Sequence, residues 1–180
     1  IWFEALNICG LFLSAANRYP NNVAIVEVDR TITYVQLEED VKATAAYFRE
    51  KGISKGDRVL VFVPMGIDLY RIVLALFYIG ATAVFLDEWV SKKRLEVCCQ
   101  LADCKGFIGI FKARLFAFFS RELRRIPIKL QLKKKLQRGI PITHVDPDSA
   151  ALITFTTGST GTPKAAKRTH EFLKEQFDAL

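Results

Sequence analysis

Histidine and cysteine, the usual ligands of transition metals, are scarce and scattered in this sequence. The two histidines, His144 and His170, lie far along the chain from the four cysteines. Cys98 and Cys99 are adjacent, and this spacing fits no common zinc site. We therefore expect no metal site, no histidine-based catalytic triad, and free thiols in a reducing, cytoplasmic compartment.

Long apolar runs are also missing. The longest, Ile72–Leu86, is too short to span a bilayer, and Gly80 divides it. Glu4 interrupts the apolar start and no basic leader precedes it, which argues against a signal peptide. The chain begins at Ile1 rather than Met and stops at Leu180 inside a predicted helix. We expect it to be a fragment of a longer protein.

Acidic residues are nearly absent from one segment, residues 121–138, where Glu122 is the single acid. Its basic residues are Arg121, Arg124, Arg125, Lys129, Lys133, Lys134, Lys135 and Arg138. This segment carries the whole net charge of +7, because the remaining residues sum to zero. A basic balance confined to one segment does not indicate a general nucleic-acid-binding protein.

Short apolar runs alternate with amphipathic ones through most of the chain. An opening helix ends near Asn17 and precedes a β-hairpin over 23–28 and 31–34. Helices are predicted over 36–51, 68–79, 91–101 and 168–180, and strands over 58–63, 82–86, 107–110 and 150–155. Strands that are apolar throughout are typical of a parallel sheet covered on both faces. The predicted class is α/β, a mainly parallel sheet with helices on both faces and a short N-terminal β-hairpin.

One loop, TTGSTGTPK, carries the strongest chemical signal. Its residues are Thr156, Thr157, Gly158, Ser159, Thr160, Gly161, Thr162, Pro163 and Lys164. Glycines permit amides to converge on phosphate oxygens, hydroxyls add donors, and a lysine adds charge. A helix predicted to follow would add its positive end. The common P-loop is excluded because Pro163 stands where that motif needs glycine. An ordinary turn rich in small residues remains the alternative.

TTGSTGTPK resembles the signature loop of the AMP-forming acyl-activating superfamily, which includes acyl-CoA synthetases, luciferase-type enzymes and nonribosomal-peptide adenylation domains. Thr169-His170 also matches, whereas Ala165 stands where the family usually has glycine. Other segments that resemble the family in order and spacing are Thr33-Tyr34 with Leu37, Gly56-Asp57-Arg58, and ALFYIGATAVFLD. LEVCCQLADCKGFIGIFKARL looks most like the branch of fatty-acid ligases and olefin-pathway β-lactone synthetases.

The resemblance implies a ligase that uses ATP and Mg²⁺ to turn a carboxylic acid, here a fatty acid, into an acyl-adenylate, and then transfers it to CoA. Residues 1–180 would be an incomplete N-terminal domain: alternating units over 1–110, a basic variable segment over 111–149, and strand, phosphate-binding loop and helix over 150–180. Thr156–Lys164 would bind the β- and γ-phosphates, with Ser159, Thr160 and Lys164 foremost. The family's adenine, ribose and catalytic lysine motifs are absent from these residues, so the chain alone is predicted to be inactive.

Two alternatives remain open at this stage. The protein could be a non-catalytic relative, or a membrane-associated binding module that keeps the fold without the chemistry. The segment 112–138, apolar and then basic, is either a solvated face or a peripheral contact with an anionic membrane. We expect no nucleic-acid partner, because no aromatic residues are interleaved with the basic ones.

Overall fold

The computed structural model describes residues 7–86, 92–110, 120–132, 140–157 and 163–180. Its helices are α1 (Cys9–Arg18), α2 (Tyr34–Glu50), α3 (Ile67–Tyr78), α4 (Lys92–Ala102), α5 (Arg121–Arg125) and α6 (His170–Asp178). Its strands are β1 (Val23–Val26), β2 (Thr31–Thr33), β3 (Arg58–Phe62), β4 (Thr82–Phe85), β5 (Gly106–Gly109), β6 (Ile128–Leu130), β7 (Ala150–Thr157) and β8 (Pro163–Thr169). No helix within these ranges has the length and apolar character to cross a membrane.

The larger sheet has the strand order β6-β5-β3-β4-β7-β8, and β1 pairs with β2 as a separate antiparallel hairpin. Neighbouring strands from β6 to β7 are parallel, whereas β7 and β8 are antiparallel. The predicted α/β class, its mainly parallel sheet and its N-terminal hairpin are therefore confirmed.

Alternate residues of the central strands enter two different apolar cores. In β3, Val59 and Val61 pack into a core built with α1, α2 and α3, whereas Leu60 packs into a second core with α4 and α5. Phe48 is fully buried in the first core, and Phe107 is buried in the second. A strand buried on both sides must be apolar at every position, which explains why the sequence reads as continuous apolar runs.

Local signals explain where α2 begins and ends. The Thr33 hydroxyl accepts the Gln36 N–H, and the Gln36 side chain accepts the Thr33 N–H at 3.1 Å, so the two form a capping box. Gly52 follows the helix with a φ of +93°, a left-handed conformation that favours glycine. The chain then turns into β3, as predicted.

Two strands of the sheet, β8 and β6, were not predicted from the sequence. Residues 168–180 were expected to be helical, but β8 occupies Pro163–Thr169 and α6 begins at His170. The short edge strand β6 was not anticipated inside the basic segment. Ser91, where the helix predicted over 91–101 begins, and residues 112–119 lie outside the described residues.

Candidate phosphate-binding site at the turn between β7 and β8

The predicted phosphate-binding loop connects two antiparallel strands. Thr156 lies opposite Lys164, and Thr157 lies opposite Pro163, so these four residues form the closing pairs of a β-hairpin. Gly158, Ser159, Thr160, Gly161 and Thr162 lie outside the described residues. The described part of the site therefore consists of its two strand ends.

Strand alternation decides which way these side chains point. Ile153 and Phe155 are buried in the second core, so Thr154 and Thr156 lie on the opposite face of β7. Residues directly opposite each other in an antiparallel pair share a face, which places Lys164 beside Thr156. Arg168 Nη1 donates to Thr154 Oγ1 at 2.9 Å, which shows that the basic residues of β8 reach this face. A hydroxyl-bearing threonine and a lysine thus stand side by side at the turn.

The Lys164 ammonium is available to an anion. Its side chain is exposed, and no carboxylate among the described residues lies within 4.0 Å of it. Pro163, in contrast, is buried and fixes the strand just before the lysine. Ala165, at the position where the resemblance expects glycine, lies exposed in β8 opposite Phe155.

The turn lies at the edge of the sheet where ligands of α/β proteins commonly bind. Since β4 and β7 are parallel, with Phe85 opposite Thr154, the turn extends beyond the carboxyl ends of the parallel strands. Binding crevices of open α/β sheets form at this edge. The position therefore agrees with a role in ligand binding.

The start of α3 lies at the same edge, but a protein carboxylate already occupies it. Glu27 Oε1, from the connection between β1 and β2, accepts the Ile67 N–H at 2.5 Å. A hydrogen bond from Arg30 and this backbone N–H lower the pKa of Glu27. The positive end of α3 is thus satisfied within the protein, which leaves the β7–β8 turn as the better anion site of this edge.

The helix expected to assist the turn is too far away to do so. α6 begins at the end of β8, and a strand rise of about 3.4 Å per residue puts its start roughly 20 Å from the turn. Its first amides are already bonded: His170 N–H donates to Ser149 O, Glu171 N–H to Pro147 O, and Phe172 N–H to Thr169 Oγ1. The strand–loop–helix arrangement predicted from the sequence is therefore wrong. A ligand at this turn would meet the two strand ends and Lys164 rather than the start of α6.

His170 links the far end of this hairpin to the core. Its side chain is fully buried, and Nδ1 accepts the Ile8 N–H at 3.1 Å. The centroids of the His170 and Phe77 rings are 5.9 Å apart in an edge-to-face arrangement. Burial lowers the pKa of His170 to about 4, so the ring is neutral at neutral pH. Such a residue holds β8 and α6 in place and is not placed to transfer protons to a ligand.

The four cysteines are free thiols, as predicted. Cys9 and Cys98 are buried, while Cys99 and Cys104 are partly buried. Burial raises the pKa of Cys9, Cys99 and Cys104 to about 12 in each case. These thiols are therefore protonated at neutral pH and unreactive.

The chain is similar in sequence to several known proteins. The delta-poly-L-ornithine synthetase of Acinetobacter baumannii (strain AB307-0294) is 28% identical over 161 residues, covering 87% of this chain and 12% of that protein. The olefin beta-lactone synthetase of Xanthomonas campestris pv. campestris is 31% identical over 181 residues, covering 91% and 32%. The nonribosomal peptide synthetase GRA1 of Gibberella zeae is 27% identical over 174 residues, covering 94% and 2%. This chain thus spans about a third or less of each relative.

Solved structures show the same fold. The N-terminal subdomain of Klebsiella oxytoca NpsA aligns with a TM-score of 0.77 and 26% identity, covering 93% of this chain and 43% of that one. The family model described as "AMP-binding enzyme" matches residues 12–179, nearly the whole chain. The chain belongs to the AMP-binding, adenylate-forming enzyme family.

Proposed function

We propose that the protein containing this chain activates a carboxylic acid with ATP, and that the β7–β8 turn binds the β- and γ-phosphates. One observation supports this most directly: an exposed Lys164, with no carboxylate within 4.0 Å among the described residues, lies opposite Thr156 at the carboxyl edge of the sheet. Family membership supports the reaction type, and the position of Lys164 beside Thr156 supports phosphate binding at this turn.

The proposed reaction is a nucleotidyl transfer. A carboxylate oxygen attacks the α-phosphorus, the bond from that phosphorus to the bridging oxygen breaks, and pyrophosphate leaves with the bonding electrons. Negative charge grows on the leaving pyrophosphate, so donors held near it lower the barrier. Lys164 and the hydroxyls of Ser159 and Thr160 are the groups we assign to this task. No residue of this chain is assigned as a general base or nucleophile.

Mg²⁺ fits this scheme as an ion carried by the nucleotide. Within the described ranges, no three His, Cys, Asp or Glu side chains are grouped to hold a metal. Mg²⁺ keeps several waters and binds substrate phosphates with one or two carboxylates, so it does not need a cage made only of protein. When bound, the ion neutralises phosphate charge, while Lys164 and the loop orient the leaving group.

We further propose that the substrate is a fatty acid and that the acceptor is CoA, which would make the enzyme an acid–thiol ligase. The relative named olefin beta-lactone synthetase supports this branch. The relative named nonribosomal peptide synthetase points to a different class of acid. An amino acid is therefore the competing substrate.

ATP–pyrophosphate exchange by the full-length protein tests both the activation of an acid and the choice of a fatty acid as substrate. Fatty acids, amino acids and aryl acids would be compared as substrates. We expect exchange with fatty acids, and Lys164→Ala should reduce it by about 10²-fold, the usual cost of losing one charge-stabilising donor. The control Lys174→Ala removes a lysine that pairs with Asp178 on α6, far from the turn, and should leave the rate unchanged.

The outcomes distinguish a failure of the fatty-acid assignment from a failure of acid activation itself. Exchange with amino acids alone would refute the fatty-acid assignment and leave acid activation standing. Binding of ATP without exchange for any acid would refute acid activation and favour the non-catalytic relative. The 180-residue chain by itself should bind pyrophosphate but support no exchange.

A further inference from the structure

The short helix α5 presents three arginines on one face. Arg121, Arg124 and Arg125 are spaced i, i+3 and i+4, which makes them neighbours on a helix surface, and all three are exposed. The opposite side is anchored, because Leu123 is 1% exposed in the second core. The Ser120 hydroxyl accepts the Leu123 N–H and caps the helix. We call Arg121, Arg124 and Arg125 the arginine face.

Little negative charge offsets the arginine face. Glu122 pairs with Arg125 at 3.4 Å, and its side chain is only 14% exposed. Arg121 and Arg124 have no carboxylate within 4.0 Å among the residues that the structure describes. In the described part of the chain, the guanidinium groups of Arg121 and Arg124 are thus exposed and have no carboxylate partner.

Lys129 is near in sequence but has a different task. Its ammonium donates to the Leu123 and Ile126 carbonyls, so it caps the end of α5. Burial lowers the pKa of Lys129, as expected for a side chain folded back onto the protein. We exclude Lys129 from the arginine face, because its ammonium is already bonded to these backbone carbonyls.

The arginine face lies away from the proposed phosphate site. α5 leads directly into β6, which is at one edge of the sheet, while β7 is four strand positions away. At about 4.8 Å per strand, this separates β6 from β7 by roughly 19 Å. A partner at α5 would therefore leave the β7–β8 turn open.

The surroundings of α5 favour an extended anionic surface over a small anionic ligand. The cleft beside Pro127 is lined by two carboxylates, Asp57 and Asp103, and by two cations, Arg58 and Lys105, so its charges balance and it offers no excess positive charge to a single anion. α5 has no aromatic side chain on which a nucleic acid base could stack. Outward guanidinium groups without a pocket can each bind a phosphate of a continuous array.

We propose that the arginine face binds the surface of a bilayer that contains anionic phospholipids. This inference rests on α5 alone and does not depend on which acid the protein activates. Basic residues near an anionic leaflet each favour binding by about 1 kcal/mol, which corresponds to a factor of roughly five. Salt should weaken the contact, because it screens exposed charges.

Vesicle co-sedimentation of the 180-residue chain tests the proposal. Vesicles of phosphatidylcholine alone would be compared with equal parts of phosphatidylcholine and phosphatidylglycerol. We expect binding to the anionic vesicles only, and the double variant R121Q/R124Q should weaken it by about 25-fold. The matched control R18Q/K51Q removes the same charge from exposed sites on α1 and after α2, and should bind almost as wild type.

Three results would overturn the proposal. One is the absence of binding to anionic vesicles, and another is an equal loss in both double variants, since that would reflect net charge alone. The third is tight binding to single-stranded RNA without binding to anionic vesicles, which would indicate that α5 binds a nucleic acid. Circular dichroism of each variant must match wild type, so that a loss of binding is not a loss of fold.

Discussion

The buried histidine at the start of α6 should make the stability of this chain depend on pH. His170 is fully buried, and its pKa falls from the ordinary 6.5 to about 4 because burial disfavours the charged ring. Between these values the unfolded chain binds a proton that the folded chain does not. Stability is therefore undiminished above pH 6.5 and falls as the pH drops towards 4.

The size of the effect follows from the two pKa values. A difference of one pKa unit corresponds to about 1.4 kcal/mol, so the full loss approaches about 3 kcal/mol below pH 4. Between pH 7.5 and pH 5.0 the same linkage gives a loss of about 2 kcal/mol. That is a large share of the stability of a small domain.

Urea unfolding followed by circular dichroism at pH 7.5 and pH 5.0 measures this loss. His170→Asn keeps an oxygen that can accept the Ile8 N–H but cannot titrate, so the variant should lose about 2 kcal/mol less than wild type on acidification. His144→Asn removes the other histidine, which is exposed, and should behave as wild type. Equal losses in wild type and His170→Asn would refute the idea of a buried neutral ring.

Two further predictions concern the packing of the fold. Gly66→Ala should lower the free energy of unfolding, because the new methyl group would collide with the Glu27 carboxylate that caps α3; the loss should shrink when Glu27 is also replaced by Ala, as a double-mutant cycle in urea can show. Phe48→Ala should cost about 3–5 kcal/mol by the same assay, since Phe48 is fully buried in the first core, and a loss below about 1 kcal/mol would contradict that packing.

The central sheet could be predicted from the sequence because buried strands are marked by runs of apolar residues. β3, β4 and β5 are buried on both faces, so each reads as a run of apolar residues. Helix ends were also marked, for example by Thr33 before α2 and Gly52 after it. These signals lie within a few residues of the feature that they specify.

The features that the sequence did not predict depend on distant partners. β8 contains no β-branched or aromatic residue before Thr169, and it is a strand because it pairs with β7. Its end could have been found from Thr169, a good N-cap whose hydroxyl accepts the Phe172 N–H. β6 has only three residues and pairs with β5. The hydrogen bond from the Ile8 N–H to His170 Nδ1 joins residues 162 positions apart, and no local sequence pattern predicts it.

The sequence predicted which residues form the candidate site, and the structure gives these residues a different setting from the expected one. The run from Thr156 to Lys164 specified hydroxyls, glycines and a lysine, and the structure places Thr156 and Lys164 side by side. β8 follows the turn where a helix was expected, so the start of α6 lies at the far end of β8, away from the turn. The site depends instead on the alternation of two paired strands, because a shift of one residue would turn Lys164 to the other face.

A crystal structure of the full-length protein with a non-hydrolysable ATP analogue would show whether the β7–β8 turn binds the nucleotide. We expect the β- and γ-phosphates within this turn, with Lys164 Nζ about 2.8 Å from a phosphate oxygen. A triphosphate bound at another edge of the sheet, with the Lys164 side chain directed away from it, would refute the proposed phosphate site.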